Sequence, residues 1–400
     1  MVELLLERWN ETAGADRGLL AALDVPTLKL GDLREVLEHL AFEAHAGQDG
    51  DEGLADIPEG DLLAALRSLL GNDLGKADKA LEYIENRAGL LLSQGPRGRQ
   101  RQYTFPYRSF QEYLAACYLA SRTDFCEQAA LLARSQPGHW REVLALAARQ
   151  APPGQGVPAA GALIYSQSVA QWRVKQPPTD ADWRAAILAG EQLLEIGLAA
   201  IESRPEHRAV RGWVAGWLAA LVSEGQLPAI ERARAGLILG KLGDPRPGVG
   251  LRPEGLPDID WIAIAPGPFP MGNDKPETKY DDETPRFACA LIREVYAISR
   301  YPVTVAQYAA FFAAGGYEQE RYWTKTGWEW CRTKWLNNYQ NYDILISDDI
   351  ESSGVRVLRG GAFTGSRDVG FCSYRSGGLP DRRDGDVGFR VVASPFVSGV

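Results

Sequence analysis

Four hundred residues with a formal charge of −9 and a pI near 5.2 provide volume for two or three domains with sizeable cores. They set the whole molecule against anionic partners, so neither nucleic acid nor a membrane surface is expected as a partner. Five cysteines without a CxxC pair argue against a disulfide framework or a zinc site.

The opening MVELLLERWN is acidic and lacks a signal-peptide cleavage pattern, which predicts a soluble, cytoplasmic chain. No apolar run reaches the ~18 residues of a membrane span. Residues 1–126 read mostly as helix. Leu62, Leu63, Leu66, Leu69 and Leu70 fall on one helical face. Leu90–Leu92 and Tyr103–Phe105 read as two short strands around the basic turn Pro96–Arg101, a solvated hairpin tip. Ser109 precedes Glu112 by three residues, the spacing of a capping box. Phe110, Tyr113, Leu114, Cys117 and Tyr118 follow at helical spacing, so Cys117 is expected in the core and not as a nucleophile. Tyr103–Ala120, YTFPYRSFQEYLAACYLA, resembles the signature that follows the nucleotide-binding module in STAND/NACHT-type NTPases. A P-loop requires G-x-x-x-x-G-K-[ST] to cradle phosphates. The nearest string, Gly71–Ala77 (GNDLGKA), is one residue short and lacks the hydroxyl, and reads as a helix end and a turn.

Residues 127–250 continue helical, with Pro/Gly-rich breaks at 151–158, 176–179 and 243–248. Ile230–Asp244 reads as one HEAT-type helix of an arm built from stacked pairs. His139 and His207 have no partner within their own stretch of sequence, which favours satisfied or solvent-facing roles for both. Gly248 to Asp258 reads as a linker. After it, Trp261–Ala265 and Phe287–Leu291 read as strands, and Val303–Phe312 as a helix with Thr304 as its cap and Phe311 and Phe312 in the core. The expected division is 1–126, 127–250 and 255–400.

The C-terminal segment Val355–Val392 opens on an extended run, breaks at Gly360-Gly361 and closes on Gly388–Val392. Between lie turn formers and aromatics with no regular period, the character of a binding surface held on a scaffold. Arg356, Arg359-Gly360-Gly361, Arg375, Pro380, Arg382 and Gly388-Phe389-Arg390 give this block a resemblance to the formylglycine-generating enzyme/sulfatase-modifying-factor family. Pro268–Met271-Gly272, Asp281–Thr284-Pro285 and Ile298–Tyr301-Pro302-Val303-Thr304 resemble the same family's opening. The resemblance implies a C-type-lectin-like fold for 255–400. The whole chain is then α+β, a HEAT-like helical arm followed by a mixed domain. Trp323 is followed within seven residues by Trp328-Glu329-Trp330, so the long central segment of the family reads as absent.

That resemblance also implies copper held by two nearby cysteines after the Gly-Gly, since soft Cu(I) favours paired thiolates. Only Cys372 lies in that block, with Cys331 and Cys289 well before it. On this ground no enzyme, no catalytic residue and no cofactor is expected. Asp281-Asp282-Glu283 and Asp348-Asp349–Glu351 are residue types that a structural calcium takes, but neither has EF-hand spacing and solvated loops are the preferred reading. What remains is display. Arg356, Arg359, Gly360, Gly361, Arg375, Gly388, Phe389 and Arg390 are read as scaffold. Phe363, Thr364, Ser366, Asp368, Val369, Phe371, Ser373, Tyr374, Ser376, Gly377, Arg383, Asp384 and Asp386 are read as an outward surface, about 363–387. It has the Tyr, Ser, Gly and Arg mix of binding loops and suits a protein or peptide ligand. The arrangement resembles the variable proteins of diversity-generating retroelements. The alternatives are a sulfatase-modifying-type enzyme or a degenerate copy of one, and a sensor fragment of a STAND NTPase.

Overall fold

The computed structural model describes residues 20, 23–48, 55–85, 91–97, 100–152, 154–272, 274, 285–330, 332, 356–359, 375–378, 388 and 390–393. The chain divides into two compact units, Met1–Asp244 and Pro245–Val400. It is helix-rich with small sheets, an α+β protein. Among the described residues no helix is long and apolar enough to cross a membrane.

Among the described residues the first unit contains α1 (Leu30–Ala46), β1 (Ile57–Pro58), α2 (Glu59–Leu69) and α3 (Leu74–Tyr83), then the hairpin β2 (Leu92–Arg97) and β3 (Gln100–Thr104). The hairpin is longer than the sequence suggested, and β3 also pairs with β1 in a small antiparallel sheet. Gly71 and Asn72 turn the chain with φ of 69° and 64°, and Asp73 then caps α3 through Lys76 N. The GNDLGKA string is therefore a turn followed by a helix start. Next come α4 (Arg108–Ser121), α5 (Phe125–Ser135), α6 (Arg141–Gln150), α7 (Gly156–Leu163) and α8 (Val169–Lys175), followed by α9 (Asp180–Ile196), α10 (Leu198–Glu202), α11 (Pro205–Glu224) and α12 (Ala229–Leu242). The expected capping box at Ser109 does not form. Helix α4 starts at Arg108 with Tyr107 as its N-cap, and Glu112 is taken by Arg108 Nε at 2.7 Å. An i,i+4 ion pair has thus replaced the cap.

One apolar core runs from Leu23 to Leu242, passing residue 126 without a break. Helix α9 is its centre. Thr179 and Asp182 close a capping box at its start, and Trp183 meets Trp217 of α11 edge to face at 5.3 Å. Gly190 lets α12 approach, because a Cβ there would stand 2.5 Å from Ile238 Cγ2. Around this core Glu191 accepts from Arg141 Nε at 3.0 Å and from Arg234, while Arg184 Nε donates to Glu231 at 2.8 Å. Charged side chains from α6, α9 and α12 are therefore locked together at the rim. His139 is not alone. His45, fully buried at the end of α1, stacks on it at 4.1 Å. Each ring Nε2 faces the other residue's carbonyl, at 3.1 and 2.7 Å, so each Nε2 carries its hydrogen.

The second unit contains β4 (Trp261–Ile264), β5 (Phe269–Met271), β6 (Phe287–Cys289), β7 (Tyr296–Ser299), α13 (Val305–Ala313), α14 (Lys325–Trp330), β8 (Arg356–Arg359), β9 (Arg375–Gly378) and β10 (Val392–Ala393). Strands β10, β7 and β4 form one antiparallel sheet in that order, with Ile262 opposite Ile298 and Val392 opposite Ile298 on its other side. Strands β5 and β6 form one two-stranded sheet, and β8 and β9 another.

Candidate functional site

The frame of the second unit is set by one helix start. Thr304 Oγ1 accepts from Gln307 N, and Gln307 Oε1 accepts from Thr304 N at 3.0 Å, a reciprocal cap on α13. The same two side chains reach outward. Thr304 Oγ1 donates to Val249 O at 2.9 Å. Gln307, 4% exposed, donates through Nε2 to Gly248 O at 3.1 Å and to Asp258 O. The stretch 248–258 is consequently no linker. It is a folded turn, closed by Gly248 N on Asp258 Oδ2 at 2.9 Å and by a bridge between Leu251 and Pro257. Buried polar groups need partners, and Gln307 supplies them to this turn.

Behind α13 lies an aromatic group. Phe311 stands 5.3 Å from Tyr317 edge to face, 6.2 Å from Tyr308 and 6.4 Å from Trp323. Trp323 Nε1 donates to Gly316 O at 2.7 Å. Gly316 must be glycine, since a Cβ would meet the Phe311 ring at 2.3–2.5 Å. Phe312 points the other way and is 65% exposed, because α13 turns only its Phe311 side to these rings.

Strand β10 completes the sheet. Ser299 N donates to Val391 O at 3.0 Å, and Val391 N donates to Ser299 Oγ at 3.2 Å. The closing run thus returns to the sheet, with its strand at Val392–Ala393 and with Gly388 and Arg390 exposed before it. In the β8–β9 hairpin, Arg356 stands opposite Gly378, Val357 opposite Gly377, Leu358 opposite Ser376 and Arg359 opposite Arg375. Four residues inside the expected irregular segment are therefore strand. Arg375, Ser376 and Gly377 share one ladder with Arg356 and Arg359. Gly360, Gly361, Phe363, Thr364, Ser366, Asp368, Val369, Phe371, Ser373, Tyr374, Arg383, Asp384, Asp386 and Phe389 lie outside the described residues.

The copper pair implied by the resemblance finds no fit in what is described. Cys289 is buried at 4% exposure on β6, and Cys331 and Cys372 lie outside the described residues. Among the described residues no three of His, Cys, Asp and Glu come together as a metal site. Both acidic clusters proposed for calcium lie outside them. The sequence reading missed Gln307, whose signal was legible: a Thr followed three residues later by Gln at the start of an apolar run.

Residues 252–327 and 326–395 match the family model of the sulfatase-modifying factor enzyme 1-like domain. The two stretches meet at Thr326-Gly327, between the tryptophans where the central segment reads as missing. A stretch of 89 residues, 22% of this chain, is 34% identical to the hercynine oxygenase of Mycolicibacterium thermoresistibile. The chain spans about a fifth of the length of that curated relative. No solved structure matches the chain. Nothing in these comparisons supports the STAND/NACHT or retroelement resemblance. They overturn the expectation that the chain is not an enzyme, for the matched family and the matched relative are both enzymes. The missing second cysteine excluded one way of holding one metal, which is less than excluding catalysis. The similarity to the sulfatase-modifying-factor family is thus confined to the C-terminal region of this chain, residues 252–395.

Proposed function

We propose that the C-terminal unit is the catalytic part of an oxygen-dependent enzyme related to the formylglycine-generating enzymes, acting on a thiol-bearing peptide or small molecule. The observation that carries this reading is the paired, colinear family match over residues 252–395. The stretch shared with a hercynine oxygenase points the same way. Chemistry with O2 needs a partner that passes single electrons, and copper and non-haem iron do so without an organic group. The described residues assign neither, and no step is derived through one. In this reading a C-type-lectin-like scaffold, built on the β10-β7-β4 sheet and the β8–β9 hairpin, fixes the ends of the segment 363–387. Phe371 and Tyr374 in that segment contact the substrate, and the N-terminal helices form a HEAT-like arm of a cytoplasmic protein.

The test is oxygen uptake by the full chain supplied separately with Cu(I) and Fe(II). The substrates are a cysteine-containing peptide, whose aldehyde product is trapped with a hydrazide, and hercynine with free cysteine. The expected result is substrate-dependent uptake above the rate of metal alone, reduced about tenfold or more when Phe371 and Tyr374 are both replaced by Ala, since truncated aromatic anchors commonly lose ~2 kcal/mol. Uptake equal to metal alone with every substrate refutes the proposal.

A further inference from the structure

One imidazole joins stretches of the first unit that lie far apart in sequence. His45, fully buried at the end of α1, donates through Nε2 to His139 O, and His139 Nε2 donates back to His45 O. Trp140 closes the stack, with its ring edge-on to His45 at 4.8 Å and to His139 at 5.4 Å. Gln111 of α4, 1% exposed, faces the other nitrogen of His45. Ala55 N donates to Gln111 Oε1 at 3.3 Å, which fixes the amide so that its Nε2 faces His45 Nδ1, 3.5 Å away. Nδ1 is then the acceptor. The bonds run one way, from Ala55 N–H through Gln111 and His45 to His139 O, and the chain is complete only while His45 is neutral.

We infer that this chain of bonds is an acid-sensitive latch: a proton taken up at His45 Nδ1 opens the joint between the end of α1, the turn before α6 and the approach to β1. A proton there sets N–H against N–H. Gln111 can offer its oxygen instead only by turning its NH2 toward Ala55 N–H, and a buried donor left unpaired costs more than a net hydrogen bond contributes. The charged groups on the surrounding elements are held elsewhere. On α1, Arg34 holds Glu38, and Glu43 faces His39; on α4, Arg108 holds Glu112; on α6, Arg141 lies against Glu142 and Glu191. Asp56 beside Ala55, and Glu59 and Asp61 at the start of α2, are at least partly exposed, while Asp49, Asp51 and Glu52 lie outside the described residues. The sign follows. The open joint binds a proton that the closed one does not, so the latch contributes fully above pH ~6.5, the ordinary histidine range, and is lost as pH falls. Helix α9 takes no part in the chain of bonds, which makes the opening local. The latch is independent of the oxygen-dependent reading, because all its residues belong to the first unit.

The experiment follows the full chain from neutral to mildly acidic pH by two readouts: nitrogen NMR of the histidine rings, and amide hydrogen exchange by mass spectrometry, corrected for the intrinsic pH dependence of exchange. At neutral pH His45 should carry its hydrogen on Nε2 and none on Nδ1. Below pH ~6.5, exchange at residues 45–48, 55–58 and 138–141 should rise relative to α9, by up to about tenfold per pH unit for one proton taken up. His45→Gln, whose amide can still donate to His139 O, should lose this pH dependence. Gln111→Glu, which offers a protonated Nδ1 an acceptor, should keep the joint closed in acid. The ring signals and exchange of the unaltered chain decide the matter by themselves should either variant not fold. A hydrogen on Nδ1 at neutral pH, exchange at these residues that does not rise on acidification, or a rise shared equally by α9 overturns the inference.

Discussion

Replacing Gln307 by Ala tests whether one side chain holds the second unit together. The native amide accepts from Thr304 N and donates to Gly248 O and Asp258 O while only 4% exposed. Truncation removes three hydrogen bonds and leaves unpaired two carbonyls of the folded turn and the Thr304 N–H at the start of α13. A net hydrogen bond contributes about 1 kcal/mol, and a buried group left unpaired costs more. The loss should therefore be about 3 kcal/mol. For a unit of this length, Pro245–Val400, that corresponds to roughly 6–12 °C in Tm. Differential scanning calorimetry of the full chain should show the transition of the second unit moving down while that of the helical unit stays in place. Thr304→Ala removes the reciprocal cap and the bond to Val249 O, at a cost of about 1–2 kcal/mol. The two losses should not add, because Thr304 and Gln307 bond to each other. A shift below about 2 °C for Gln307→Ala, or an equal shift of both transitions, would show that the turn at 248–258 does not depend on this residue.

Two further outcomes follow from packing. Gln192 is fully buried on α9, and among the described residues neither amide atom has a hydrogen-bond partner; Gln192→Met, of similar shape, should raise stability by about 1 kcal/mol in urea melts followed by circular dichroism, and a loss instead would reveal a polar partner in the core. Gly316→Ala drives a methyl into the Phe311 ring and should cost ~1–3 kcal/mol, read as a lower Tm of the second unit with altered near-ultraviolet aromatic signal.

The helices were legible because their signals are local. Thr304 ahead of an apolar run announces the start of α13 at Val305, and Ile230–Asp244 needed only its apolar spacing to predict α12 at Ala229–Leu242. What was not legible depends on distance. Whether Ser109 or Arg108 captures Glu112 is decided by side-chain reach on a formed helix. Which of Phe311 and Phe312 enters the aromatic group depends on Tyr317 and Trp323 folding back over α13. The stretch 248–258 looked like a linker because Pro and Gly carry no period. It is folded because Gln307, some fifty residues later, satisfies its carbonyls.

The same gap between sequence distance and spatial distance explains the error about catalysis. His139 looked solitary because its neighbours in sequence offer no second ligand. In the fold it stacks on His45, ninety-four positions earlier, and the two exchange hydrogen bonds with each other's carbonyls. A partner absent from a local window is not absent from the molecule. Counting thiols within one C-terminal block applied that local test to a domain whose sheet joins Val392 to Ile298 and whose matched stretches run from 252 to 395. Closing one pattern of metal ligands left open every arrangement assembled across that span. The comparison with enzymes of the family is therefore the stronger guide to what the domain does, and the cysteine count limits only how copper would be held.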